Sequence, residues 1–281
     1  MIKRFKLLLA LPLLFLCASV TAVADDIQDS WKFSLTPYIW LPRIEGNLNY
    51  ELPLDGGGAP NFSVGPTDWV ELLNAAALLS GSARKGKFSI TSDFVYLSLT
   101  SKNDGSLDSV TTPGTGGRVP VDASLNLNTR TDFDGTLWTV SGGYALQDTD
   151  RMVTDIFVGV RYFGVDVSTR WDLAASISAP VTGTVLEASG SRDKEKDMWD
   201  GIVGVRGHYA LDGGKWRFPY SFDVGTGSSD LSLNAMAGVS RAFGWGDLVL
   251  VYRHLEYDQG DDDLLEDFSF TGPAMGATFH F

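Results

Sequence analysis

The sequence predicts an all-β protein, an antiparallel transmembrane β-barrel of about ten strands. Three observations predict it. From residue 31 onward the chain consists of segments in which apolar and polar residues alternate, rich in aromatic and β-branched types and separated by Gly, Asp and Asn clusters. No segment after the N-terminal region approaches the roughly 20 apolar residues that a membrane-spanning helix needs. The connections between segments are alternately short and long, as turns and loops at the two ends of such barrels are.

The strands are expected at 31–43, 75–85, 87–100, 128–146, 152–171, 197–210, 216–227, 231–243, 246–258 and 268–281. Alternation is clearest in the second half. In Asp155–Tyr162, Ile156, Val158, Val160 and Tyr162 share one face, and Asp155 and Arg161 the other. In 216–224, Phe218, Tyr220, Phe222 and Val224 oppose Arg217, Ser221 and Asp223. Short turns are expected at 84–87, 147–151, 211–215 and 244–246, and long loops at 44–74, 101–127 and 172–196. With both termini at the short-turn end the strand number is even. Eight and twelve strands stay open beside ten, and 44–52 is a candidate for an extra β-ribbon. Thr67-Asp-Trp-Val-Glu-Leu-Leu-Asn74 has the spacing of a capping box ahead of an apolar run. A short helix over 68–74 is therefore expected, at the barrel mouth or inside it.

A charge facing lipid at mid-bilayer costs a few kcal/mol, so the apolar face of each strand faces lipid and the charged face lines the lumen. The lumen then receives Asp93, Asp155, Arg161, Asp200, Arg206, Arg217, Asp223, Asp247 and Arg253. Acids and bases nearly balance. A selective pore tends to carry a ring of one sign, whereas a balanced set suits mutual ion pairs that fill a narrow barrel. Both a narrow channel for small solutes and a non-conducting structural or surface-interaction barrel are compatible with this inventory.

The N-terminus reads as a secretory signal peptide over 1–24. It has a basic start at Lys3, Arg4 and Lys6, an apolar stretch from Leu7 to Leu16, and Ala22-Val-Ala24 as a small-x-small cleavage site. The barrel would occupy 25–281. The single cysteine, Cys17, leaves with the signal, which excludes disulfides and thiolate metal sites from the mature chain. With 22 Lys+Arg against 35 Asp+Glu and a net charge of −13, the chain lacks the basic character of a nucleic-acid partner.

The C-terminal Gly276-Ala-Thr-Phe279-His-Phe281 resembles the assembly signal of Gram-negative outer-membrane barrels, which implies Gly276, Phe279 and Phe281 as the residues presented to the barrel assembly machinery. Leu35-Thr-Pro-Tyr-Ile-Trp40, Phe94-Val-Tyr-Leu97, Trp199-Asp-Gly-Ile-Val-Gly-Val-Arg206, Asp223-Val-Gly-Thr-Gly227 and Tyr252-Arg-His-Leu-Glu-Tyr257 resemble a family of proteobacterial outer-membrane β-barrel proteins. More distantly the pattern is similar to small barrels of the OmpA and OmpW type. The resemblance implies an outer-membrane location, with lipid and lipopolysaccharide as neighbours, and implies no particular activity.

Catalysis is not expected. The chain has three histidines, His208, His254 and His280, none paired with a serine as base and nucleophile require. The strongest rival is an omptin-like protease, for which Asp132-Phe-Asp134 and His254-Leu-Glu256 supply acids and a histidine near outer strand ends. Strand parity turns His254 and Glu256 away from the lumen. No cofactor and no metal centre are expected. The acidic segment 258–267 has oxygen ligands suited to divalent cations, without the spacing of a known calcium loop.

Overall fold

A computed structural model describes residues 30–48, 61–64, 72–113, 120–178, 183–211, 213–259 and 265–281. Twelve strands follow one another along the chain: β1 (Lys32–Trp40), β2 (Arg43–Leu48), β3 (Asn61–Val64), β4 (Leu73–Lys85), β5 (Phe88–Pro113) and β6 (Pro120–Asp148), then β7 (Met152–Ser178), β8 (Gly183–Ala210), β9 (Trp216–Gly227), β10 (Leu231–Phe243), β11 (Gly246–Asp258) and β12 (Leu265–His280). All neighbours are antiparallel, in the order β1-β4-β5-β6-β7-β8-β9-β10-β11-β12, and β12 pairs back to β1. The result is a closed barrel of ten staves. β1 and β2 are two parts of the first stave, interrupted at Leu41-Pro42, and both pair with β12. β3 lies on the other edge of β2.

Closure requires the strands to tilt and their register to stagger. Following paired residues round from Ser34 leads through Ser82, Thr91, Ser141, Gly159, Ile202, Gly225, Ser232, Tyr257 and Phe268. The path ends at Gly46, higher on the first stave than its start. At the seam of closure, Gly276 stands opposite Tyr38. A Cβ there would lie 2.7 Å from Tyr38 Cβ, so the close approach of β12 to β1 requires glycine. Phe281 extends the seam: its N–H donates to the Phe33 carbonyl at 2.9 Å, and the Phe33 N–H donates to its carbonyl at 3.1 Å.

Alternation sorts the side chains. On β7, Ile156, Val158 and Val160 are exposed on the outside, while Asp155, Phe157, Arg161 and Phe163 are buried. Phe94, Trp138, Trp199, Phe222, Leu250 and Met275 continue the exposed apolar band round the barrel. Its aromatic edge at the short-turn end includes Phe243 stacked on Trp245 at 5.9 Å and Trp245 against Phe279 at 5.7 Å. The Arg241 guanidinium lies over the Trp216 and Phe243 rings, both at 5.2 Å. This is the composition of an interfacial girdle.

The staves are unequal. Residues 101–127 and 172–196, expected as loops, are largely strand: β5 with β6, and β7 with β8, run on as paired hairpins above the apolar band. Their Ser, Thr, Asp and Asn composition hid them, because a strand with polar residues at successive positions shows no apolar alternation. Once the lower register is set, each further pair only extends a ladder already nucleated. Part of 44–74 is likewise strand, as β2 and β3. Residues 68–71 of the expected helix lie outside the described residues, and Leu73 and Asn74 already belong to β4. The signal segment 1–24 also lies outside.

Candidate functional site in the barrel interior

The interior has two layers. Towards the short-turn end it is charged, and above that it is apolar. The charged layer is assembled from strands far apart in sequence because the inward faces of all ten staves converge on one axis. Its central chain begins at Arg161, whose Nη2 donates to Asp223 Oδ1 at 2.5 Å. Asn234 Nδ2 donates to the other oxygen of Asp223 at 2.7 Å. Arg253 Nε donates to Asn234 Oδ1 at 2.9 Å, and its Nη1 to Asp93 Oδ2 at 2.9 Å. Tyr38 donates to the second Asp93 oxygen at 2.8 Å. The Arg253 guanidinium also stacks over Trp40, 4.8 Å from the ring centre. Arg161, Asp223 and Arg253 are buried.

Asp155 organises a second group nearer the short turns. It pairs with Arg84 and accepts from Ser89 Oγ at 2.8 Å, while Arg206 Nε lies at 3.9 Å. Arg206 further donates to Ser141 and Ser89 at 2.8 and 3.1 Å and stacks on Phe157. At the rim, Arg217 Nη1 donates to Asp247 Oδ2 at 2.9 Å, and His280 Nε2 lies 3.0 Å from the same oxygen. Asp200 sits elsewhere, under the β9–β10 hairpin, where it accepts from the Ser229 N–H and hydroxyl at 3.0 and 2.6 Å. Among the nine charged residues assigned to the lumen, three acid–base pairs are hydrogen-bonded, Arg161–Asp223, Arg253–Asp93 and Arg217–Asp247, and a fourth, Arg206–Asp155, is a looser ion pair at 3.9 Å.

Sequence reasoning left out Arg84, assigned there to the turn 84–87. It is inside β4, and it evens the interior inventory of acids and bases. The signal was present: Ser80, Ser82 and Arg84 form a polar face opposite Leu79, Gly81 and Ala83. Tyr38 and Asn234, which connect the ion pairs, were also missed, since neither residue type announces a buried role.

The apolar layer closes over this network. Phe163 of β7 stacks on Tyr257 of β11 at 5.2 Å and meets Phe268 and Phe270 of β12 at 5.6 and 5.8 Å. Trp40 packs on Phe270 at 5.8 Å. β7 and β12 are the fifth and tenth staves, on opposite sides of the barrel. The aromatic contact therefore spans the full cross-section, with Ile44, Leu97, Leu255 and Met198 packed around it. A small apolar void bordered by Trp40, Val95, Leu97, Phe133 and Phe163 lies against this plug.

The residues of the protease alternative are not brought together. His254 points outward from β11, its Nδ1 2.6 Å from Thr271 Oγ1 and its Nε2 3.2 Å from Glu256. Asp132 points outward from β6, held by Arg130 at 3.1 Å and Arg170 at 3.2 Å. β6 and β11 are opposite staves. Among the described residues no group of three or more His, Cys, Asp or Glu is arranged to hold a metal ion. Residues 260–264 of the acidic segment lie outside the described residues.

No protein-family model and no curated protein matches the chain. Solved structures that align with it include Ail, the attachment invasion locus protein of Yersinia pestis, at 9% identity and TM-score 0.30, over 90% of this chain and 99% of that one. The translocator domain of autotransporter NalP from Neisseria meningitidis aligns at 11% identity and TM-score 0.35, over 91% and 90%. Outer membrane protein AlkL aligns at 16% identity and TM-score 0.28, over 92% and 93%. Similarities of this size carry nothing about function.

Proposed function

We propose that the chain is an integral outer-membrane β-barrel whose lumen is closed to solutes, and which acts through its exterior: a structural or surface-interaction barrel. The exposed apolar band and aromatic girdle support a place in lipid, since a closed barrel is the β-structure that leaves no backbone edge there. The observation that carries the closed lumen is the contact of Phe163 with Phe268 and Phe270 across opposite staves. Ions would have to displace packed aromatics and then break ion pairs below them. The hairpins of β5–β8 that rise above the band supply the surface on which partners would be met, with lipopolysaccharide and divalent cations as the neighbours expected in an outer leaflet.

A narrow channel is the second reading. It is favoured by the polar interior near the short turns, where the Arg84 and Arg217 side chains keep 28% and 33% of their surface accessible. Planar-bilayer recording of the refolded protein separates the two. Silence across a wide voltage range is expected, and stable single-channel steps from the unmodified protein would replace the closed reading with the channel.

A further inference from the structure

Strand β8 outgrows its neighbour on one side. Its ladder with β7 runs without a slip from Gly183 to Tyr209. Its ladder with β9 covers only Asp200–Ala210, because β9 ends at Gly227 and β10 follows at Leu231. Ser228 makes the last contact on that side: its N–H donates to the Trp199 carbonyl at 2.9 Å, and its Oγ accepts from the Trp199 N–H at 3.0 Å. The backbone groups of an antiparallel strand point to the same side at every second residue. The N–H and C=O groups of Glu195, Asp193, Ser191 and Ser189 therefore face the same edge as those of Trp199. Among the described residues no strand pairs with them there. Residues 260–264, which leave β11 after Gln259 beside Met198, are too few to run along this edge, since a chain covers at most about 3.5 Å per residue.

The edge carries its charges in a pattern. Residues 192–197 read Arg-Asp-Lys-Glu-Lys-Asp. Met198 is buried and Trp199 exposed, so alternation places Arg192 and Lys194 on the inner face of the sheet and Asp193 and Glu195 on the outer one. β7 does not answer these charges. Arg192 and Lys194 stand opposite Thr169 and Val167, and Glu195 stands opposite another acid, Asp166. Asp193 accepts from the Ser168 hydroxyl at 2.7 Å. Two usual guards of an open edge are missing, since β8 contains neither a proline nor a bulge. The charges themselves turn away an apolar strand. They also turn away a second copy, because two such runs paired about a two-fold axis set acid against acid on one face and base against base on the other.

We propose that the β8 edge at Ser189–Glu195 docks an extended segment of a partner protein in which acidic and basic residues alternate. The segment adds to the sheet as a further strand, its acids beside Arg192 and Lys194 and its bases beside Asp193 and Glu195. The inference deepens the surface-interaction reading and rests on it. Backbone hydrogen bonds along the edge supply affinity, and the two oppositely charged faces select the sequence.

The test uses the whole chain refolded into phosphatidylcholine nanodiscs at low ionic strength, where exposed charges are least screened. The probes are two fluorescein-labelled peptides of equal composition, one alternating Glu and Lys, the other with all Glu before all Lys. By fluorescence anisotropy the alternating peptide is expected to bind at least about tenfold more tightly than the block peptide. Glu195→Pro removes a donor that faces the edge and leaves the β7 ladder intact, so it should abolish that binding, whereas Glu195→Gln should only weaken it. If Glu195→Pro does not refold, Arg192→Glu combined with Lys194→Glu should lower the affinity by about the same tenfold factor. Equal binding of the two peptides, no binding of either, or binding untouched by these variants would overturn the docking edge. Dimers of the unmodified chain cross-linked through 189–195 would overturn it in favour of a second copy. Each of those results leaves the closed, surface-interaction barrel standing, and that reading fails separately, on single-channel steps from the unmodified protein.

Discussion

Arg253 and Asp93 meet at 2.9 Å although 160 residues separate them in sequence. They come from the ninth and third staves, so their ion pair ties together nearly opposite walls. Each partner is held again, Arg253 by Asn234 and Asp93 by Tyr38. Removing one partner of a buried pair leaves an uncompensated charge and costs about 3–5 kcal/mol. Arg253→Met should therefore destabilise strongly, and Asp93→Asn less, because the amide still accepts from Tyr38. The double variant should recover part of the loss. Urea unfolding of the lipid-refolded protein, followed by gel mobility, gives the comparison; additive losses in the double variant would refute coupling across the lumen.

The aromatic plug should contribute both stability and closure. Phe163→Ala removes a ring in contact with three others and should cost about 3–5 kcal/mol. Combined with Phe270→Ala it should convert an electrically silent barrel into one with measurable, noisy conductance. A double variant that remains silent but folded would mean that the seal lies in the ion-pair layer instead.

Loss of Phe281 should impair assembly and stability together. Its backbone makes two hydrogen bonds with Phe33 at the closing seam, and its exposed ring ends the girdle. The truncated chain should refold slowly and lose its heat-modifiable folded band at a lower temperature than the full chain. Phe281→Tyr should retain both properties, since it keeps the backbone pair and an aromatic ring. Equal behaviour of the truncated and full chains would show that closure does not depend on this pair.

Two carboxylates above the apolar band should respond to pH with opposite sign. Hydrogen bonds from Arg130 and Thr100, with the charge of Arg170, hold the Asp132 carboxyl below the usual carboxylate range. Its contribution is present above about pH 4 and is lost as pH falls through the lowered folded value. Burial, then repulsion from Asp134 and Asp193, pushes Asp166 up. Ionised Asp166 thus opposes folding at neutral pH, and the penalty is relieved as pH falls through its raised value toward about 4. Asp166→Asn should stabilise at pH 7, with the gain vanishing near pH 4. Asp132→Asn should destabilise at pH 7 and converge with the unmodified chain only below that. Both effects should be about 1 kcal/mol or less, as suits partly exposed groups. Parallel pH profiles for the two variants would contradict the assignment.

No hydrolysis of peptide, phospholipid or lipopolysaccharide is expected. A general base must lie within hydrogen-bond reach of its nucleophile or of one positioned water. His254 and Asp132 face outward from opposite staves and share no such space. Turnover abolished by His254→Ala would restore the protease alternative.

Several elements were legible from the sequence because they depend on period-two alternation alone. Ile156, Val158 and Val160 against Asp155 and Arg161 separate the two faces of β7, and a barrel needs one face for lipid. Short turns such as that containing Gly86, with φ at 55°, announce themselves through their residue types. The ten staves follow from counting these segments. The upper halves of β5–β8 were not legible, because runs of Ser, Thr, Asp and Asn without apolar alternation leave no pattern to read. What only the tertiary structure decided is which inward residues meet. The stagger that carries Ser34 round to Gly46 sets their heights, and no local pattern encodes it. It brings Arg84 to Asp155, Arg253 to Asp93 and Phe163 to Phe270.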